Sequence, residues 1–252
     1  MSTIPGVPNR DASHTGKRPA AVAVIIPAKD ERRRIAATAT AARMLPEVDL
    51  VIVVDDGSSD ETARTAYDAG AVVTRHQRNR GKAAAMETGA ALVARLEREA
   101  GEEPRALLFL DADLEGTAVA AGALIPPVLA GDADMTIAVL PPQQRPGGGH
   151  GFVVRLATGG VQRATGWTPT QPLSGQRCLT REAFTAALPL ARGFGVETAL
   201  SIDLLRQGFR VREVEVDLHH RVTGRDLRAQ IHRGRQYRDV ALALGARRLR
   251  LR

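Results

Sequence analysis

Asp111 and Asp113 close the apolar run Leu107-Leu108-Phe109-Leu110-Asp111-Ala112-Asp113 and place two carboxylates one residue apart. Alternate residues of a strand project to one face, so the pair converges on one point if the extended geometry persists through the turn. Mg²⁺ and Mn²⁺ prefer hard oxygen donors, typically one or two carboxylates plus phosphate oxygens. The chemistry on offer is therefore a cation gripped against a diphosphate. The competing reading is a solvated strand-end turn, where Asp is common in any case. Two more apolar runs end in acids, at Lys29-Asp30-Glu31 and at Asp55-Asp56-Gly57-Ser58-Ser59-Asp60. Lys82 follows Gly81 at a helix start, where free backbone N–H groups and a cationic side chain both favour phosphate, although a solvated lysine fits the same place. The full Walker pattern is missing, which argues against a nucleotide hydrolase.

The elements that must position these residues follow from hydrophobic periodicity. Continuous apolar runs at 21–27, 50–54, 71–74 and 106–110 predict strands buried on both faces. Between them, 32–45, 61–69 and 82–99 carry helical spacing; Ser59 or Asp60 would cap the second, and Met86, Ala90, Val93 and Leu96 form the stripe of the third. Strand and helix alternating at this spacing specify right-handed crossovers and a mostly parallel open α/β sheet with helices on both faces. Ligands gather at the carboxyl ends of such strands, where each acidic cluster falls. Further on, 135–140 and 209–216 read as strands, 181–187 and 197–207 as helices, and a basic helix runs from about residue 226. The Gly- and Pro-rich stretch 141–151 reads as a loop, either a binding loop or an inert insertion. Residues 1–19 lack periodicity and read as a disordered leader, 20–225 as one domain, and 226–252 as a basic C-terminal helix.

Composition narrows the function classes. The single cysteine, Cys178, excludes an intramolecular disulfide and is expected as a buried small hydrophobe. No apolar run reaches membrane-spanning length and no signal-peptide pattern opens the chain, so a cytoplasmic protein is expected. Net charge is +7, and thirteen arginines against five acids from Arg206 to Arg252 suggest an anionic partner. Aromatic residues make up only 3%, too few for base-stacking platforms, which reduces nucleic acid to a minor alternative. The apolar and basic end of the chain fits either peripheral contact with the inner membrane face or a helix packed on the domain with snorkelling arginines; the packed form is the expectation. Self-association into a homodimer is left open.

The order and spacing of Pro27-Ala28-Lys29-Asp30-Glu31, of Val53-Val54-Asp55-Asp56-Gly57-Ser58-Ser59-Asp60, of Asn79-Arg80-Gly81-Lys82 and of Leu110-Asp111-Ala112-Asp113 closely resemble the successive blocks of family 2 glycosyltransferases with a GT-A fold. Later blocks, Pro172-Leu173-Ser174-Gly175-Gln176-Arg177, Gly193-Phe194-Gly195-Val196-Glu197 and His220-Arg221, look like those of polyprenyl- or dolichyl-phosphate sugar synthases and glucosyl-3-phosphoglycerate synthases. The resemblance implies that Ala28 and Glu31 border the nucleoside, Glu31 accepting from ribose hydroxyls, and that Asp56 bonds the base edge. It also implies that Lys82 lies near the donor, that Asp113 holds Mg²⁺ or Mn²⁺, that Asp111 contacts ribose or metal through water, and that a later histidine completes the metal site. His220 is the choice and His219 the alternate, since neighbours on an extended segment face opposite ways.

Each role has a plain structural counterpart. Asp55 and Asp56 can form Asx turns beside Gly57, and Glu31 and Glu197 can be early-helix carboxylates. Glu197 is the candidate base if the acceptor is a hydroxyl and the anomeric centre inverts; an ionised lipid phosphate, or a retaining reaction, needs no protein base. Gln176 and Arg177 are expected to engage an acceptor phosphate or carboxylate, with Arg221, Arg225, Arg233 and Arg235 adding charge-assisted contacts. The expected activity is metal-dependent transfer of a hexose from a nucleoside diphosphate sugar, UDP-glucose before GDP-mannose, to an anionic acceptor such as polyprenyl phosphate or phosphoglycerate. The alternative is a catalytically silent nucleotide-sugar-binding or membrane-attached protein. A nucleotidyltransferase is disfavoured because no glycine-rich loop follows the first strand.

Overall fold

The computed structural model describes residues 18–141, 151–218 and 227–249, with side chains on the last helix from 234 to 247. Most of the expected leader, the core of the 141–151 loop, and His219, His220, Arg221 and Arg225 lie outside the described residues, as does the side chain of Arg233.

β1 (Val22–Ala28), β2 (Val48–Asp55), β3 (Val72–Arg75) and β4 (Ala106–Phe109) alternate with α1 (Ile35–Arg43), α2 (Thr62–Asp68) and α3 (Lys82–Ala100). After a 3₁₀ run (Glu115–Leu124) come α4 (Pro126–Leu129), β5 (Met135–Val139), α5 (Phe152–Thr165), β6 (Arg177–Leu179) and α6 (Arg181–Ala186). A 3₁₀ turn (Gly193–Gly195), α7 (Val196–Arg206), β7 (Val211–Glu215) and α8 (Leu227–Leu249) follow. The seven strands form one sheet in the order β3-β2-β1-β4-β6-β5-β7, all pairings parallel except the two made by β6.

β1 sits inside this sheet and is apolar on both faces for that reason. Val22, Val24 and Ile26 join the cluster that includes α1 and the 3₁₀ run, while Ala23 and Ile25 join the opposite cluster with α3, α6 and α7. Gly89 lets α3 approach the sheet: a Cβ there would lie 2.4 Å from the Ile25 side chain. α3 ends in a left-handed Gly101, after which the Glu102 N–H returns to the Glu97 carbonyl. Cys178 is buried as expected, and burial pushes its thiol up to about 12.

α8 takes the packed option. Val240 and Leu244 are buried with Ala157 and Val161 of α5 and Ile202 and Leu205 of α7, and buried Arg247 pairs with Asp203. A Cβ at Gly160 would strike Leu244 at 2.5 Å, so this helix crossing depends on glycine. No helix among the described residues is long and apolar enough to cross a membrane.

Several elements depart from expectation. α1 starts at Ile35 rather than at 32, because residues 31–34 form a turn pinned by the Glu31 N–H on Thr62 Oγ1 and the Arg32 N–H on Asp60 Oδ2. Neither α5 nor β6 was anticipated: α5 follows the glycine-rich stretch and contains Gly159 and Gly160, and β6 is only three residues long. β6 matters for the site. Being antiparallel to β4, with Arg177 opposite Phe109, it brings Gly175 and Gln176 to the edge where β4 delivers Asp111.

Candidate active site

The carboxyl ends of β1, β2 and β3 are stitched together by polar contacts. Ala28 lies opposite Asp55, and its carbonyl accepts from the Asp56 N–H at 2.8 Å. The Asp30 N–H donates to Ser58 Oγ, and Asp30 in turn accepts from the Ser59 N–H at 2.7 Å. Glu31, half-buried and at the base of this loop, takes both Nε and Nη2 of Arg34 on one oxygen at 2.9 Å.

The neighbouring acids after β2 divide their work. Asp55 is fully buried, accepts from the Ser58 N–H in an Asx turn, and pairs with Arg75 Nε at 3.1 Å, so its role is structural. Asp56 reaches across to the loop before α3: Oδ1 accepts from the Arg80 N–H and from His76 Nδ1, both at 2.7 Å, and Oδ2 from the Gly81 N–H at 2.8 Å. Burial would raise its pKa, but these donors outweigh burial and hold the carboxyl below its ordinary value. Gly57, at φ +70°, permits the close approach, since a Cβ would sit 2.7 Å from the Arg78 carbonyl carbon.

Two residues along from this anchor, Lys82 opens α3 and points into a second cluster. Its Nζ lies 2.7 Å from Asp111 Oδ1 and 2.9 Å from Glu197 Oε1, the latter in the first turn of α7. Burial opposes the charge, but the two carboxylates prevail and raise the Lys82 pKa above its ordinary value. Gln176 Nε2 donates to Asp111 Oδ2 at 2.6 Å. Gly175 closes the wall, for a Cβ there would lie 2.4 Å from Lys82 Nζ and 2.8 Å from Asp111 Oδ2.

β4 ends at Phe109, so Asp111 and Asp113 occupy a turn, and the expected convergence by strand alternation is corrected. Thr38 fixes that turn by donating to the Ala112 carbonyl at 2.9 Å and accepting from the Glu115 N–H at 2.8 Å. Asp111 is committed to Lys82 and Gln176, whereas half-buried Asp113 makes no hydrogen bond or ion pair among the described residues. No cluster of three metal-ligating side chains occurs among the described residues, and His220 lies outside them. A single carboxylate in this turn still fits a hard divalent cation, which would fill its remaining positions with phosphate oxygens and water.

Two acceptor expectations need correction. Arg177 is buried: Nε donates to the Ser174 carbonyl, Nη1 to Ser201 Oγ and Nη2 to the Pro172 carbonyl, which leaves the guanidinium no route to an acceptor. Burial draws it down to about 10, against the opposing pull of Glu197 and Glu213, so it stays charged at neutral pH. Gln176 is likewise 1% exposed and orients Asp111 instead. His76 has no assigned role in the sequence reading. Its place in the polar stretch 75–81, one residue past β3 and level with the Asp55-Asp56 pair, was the available signal.

The glycosyl transferase family 2 model matches residues 23–156, just over half of the chain. Glycosyltransferase AglJ of Haloferax volcanii is 31% identical over 70% of this chain and 56% of its own length. Glucosyl-3-phosphoglycerate synthase of Mycolicibacterium paratuberculosis is 31% identical over 72% of this chain, which spans 59% of that relative. Among solved structures, the Mycobacterium tuberculosis glucosyl-3-phosphoglycerate synthase in complex with Mn²⁺, UDP and phosphoglyceric acid superposes with a TM-score of 0.73 at 27% identity, covering 90% of this chain and 78% of that one. The same enzyme with Mg²⁺ and UDP gives a TM-score of 0.70 at 27% identity, over 90% and 79% of the two chains.

Proposed function

The chain belongs to glycosyl transferase family 2, and from that premise we propose that it transfers a hexose from a nucleoside diphosphate sugar, UDP-glucose before GDP-mannose, to an acceptor bearing phosphate or carboxylate. The observation that carries this reading is the continuous run of contacts from Asp56 through Arg80 and Gly81 to Lys82, Asp111 and Glu197 along one sheet edge. It links a carboxylate suited to a base N–H with a cation suited to a diphosphate, the two groups that one nucleoside diphosphate presents together. The Mn²⁺, UDP and phosphoglyceric acid in the mycobacterial complex support the same classes of donor, metal and acceptor.

In this reading Asp56 accepts from the ring N–H of the base and Glu31 from the ribose. Lys82 and the α3 N-terminus attract the diphosphate, so that Nζ exchanges part of its contact with Asp111 for phosphate oxygen. Asp113 would hold Mg²⁺ or Mn²⁺, and the ion supplies Lewis-acid stabilisation of the departing nucleoside diphosphate. Asp111, oriented by Gln176, stays beside Lys82 and would contact ribose or, through water, the metal. Glu197 serves a hydroxyl acceptor as base once Lys82 turns to phosphate; with an already ionised acceptor it orients instead. Mass spectrometry of products from UDP-glucose and GDP-mannose, each with Mn²⁺ and either 3-phosphoglycerate or a polyprenyl phosphate, tests the proposal. A hexosylated acceptor supports it. Absence of product with every donor and acceptor, alongside intact nucleotide binding, leaves the silent binding protein in its place.

A further inference from the structure

His76 is a buried titratable group that the mechanism above does not use. It lies one residue beyond β3, 6% exposed, with its backbone N–H on the Asp55 carbonyl at 2.9 Å. Nδ1 meets Asp56 Oδ1 at 2.7 Å and Nε2 meets Thr88 Oγ1 of α3 at 2.9 Å. An ionised carboxylate only accepts, so Nδ1 carries the proton; the Thr88 hydroxyl can donate to Nε2 or accept from it. The imidazole is thus fixed at both ends, between the strand that leads to it and the helix that carries Lys82.

That placement has a consequence for Asp56. The terminal torsion of an aspartate is broad, so a carboxylate has no strong plane preference of its own. Among the described residues Oδ1 takes two donors, His76 and the Arg80 N–H, while Oδ2 takes only the Gly81 N–H. The two oxygens are therefore unequal, with acceptor capacity concentrated on Oδ2. We propose that His76 is a positioning residue for nucleotide recognition, which braces Asp56 from Thr88 so that Oδ2 is presented to the ring N–H of the base. This rests on the reading that the edge binds a nucleoside diphosphate with Asp56 at the base.

The test compares the full chain with His76→Leu, His76→Asn and Thr88→Val by calorimetric titration with Mn²⁺ and UDP, and with UDP methylated at the ring N–H. Asn keeps a donor close to the Nδ1 position, whereas Leu removes it. The wild type should prefer UDP over the methylated form. His76→Leu should weaken UDP by about tenfold and the methylated form much less, collapsing the preference, while His76→Asn stays within about threefold of wild type. KM for the donor should rise in the Leu variant with kcat nearly unchanged, which a general loosening of the fold would not produce. Should His76→Leu fail to fold, His76→Asn and Thr88→Val carry the same comparison, with Thr88→Val lowering the preference by a smaller factor. An undiminished preference in every folded variant, or Asn no better than Leu, overturns the role of His76. Equal wild-type affinity for the two ligands overturns Asp56 as the base reader, and no wild-type binding of any nucleoside diphosphate overturns the underlying reading.

Discussion

The two ends of the candidate site are built differently. Around Asp56 the partners are mostly backbone N–H groups and a buried imidazole, and Gly57, Ser58 and Asp55 interlock beneath them. Around Lys82 the partners are charged side chains drawn from α3, the turn after β4 and α7, with Gln176 entering from before β6. The first end is fixed in place, since moving it means breaking the loops that form it. The second is a balance of charge in which one cation serves two carboxylates, and a phosphate can compete for it without unfolding anything. Substitutions at the first end should therefore cost stability together with binding, and those at the second should cost activity far more than stability.

The largest expected effect lies at the charged end. Asp113→Ala should lower metal-dependent transfer by at least ~100-fold, the scale of losing a catalytic electrostatic contact, while urea unfolding stays within about 0.5 kcal/mol of wild type because the side chain has no protein partner among the described residues. A fully active Asp113→Ala would remove the metal assignment. Lys82→Met should also reduce transfer by ~100-fold. Its unfolding free energy should fall by only about 1 kcal/mol, because Lys82 and Asp111 are each about a third open to solvent, which screens that pair.

The interlocked end should show the reverse balance. Gly57→Ala puts a side chain at φ +70° and within 2.7 Å of backbone, so it should cost about 2 kcal/mol in denaturant and weaken nucleotide binding in parallel. If stability and binding separate there, the contrast between the two ends fails. The smallest effect is the acid dependence of Asp56. Its folded pKa lies below the ordinary 3.8, so its contribution is complete above the unfolded value and disappears as pH falls through the folded one. The stability gap between wild type and Asp56→Asn should therefore be widest near pH 7 and shrink below about pH 4, measured by denaturant midpoints. A constant gap across that range contradicts the carboxylate's role as the acceptor for Arg80 and Gly81.

The same division governs how much could be read from the residues alone. β1, β2 and β4 are legible because burial on both faces makes each a continuous apolar run, and α3 because its stripe extends over many turns. Asp56, Lys82 and Asp111 fall where a parallel sheet gathers its ligands, so their neighbourhood followed from strand order. The second half offers no such periodicity. β6 is too short to show alternation, and α5 carries two central glycines, of which Gly160 is required by the contact with α8. Arg177 and Gln176 looked like acceptor ligands because charged and amide side chains usually face water. Which way they point depends on the antiparallel entry of β6, a pairing between distant segments that no local pattern encodes. His76 is illegible for the same reason: its partners Asp56 and Thr88 come from different elements.

Calorimetric titration of the full chain with UDP, in the presence and absence of Mn²⁺, reaches the central claim most directly. The account predicts a single site that binds UDP tightly with the ion and much more weakly without it or after Asp113→Ala. Binding of UDP with equal strength in all three conditions would contradict the metal arrangement. No binding of UDP, GDP or any other nucleoside diphosphate under any of them would contradict the site itself.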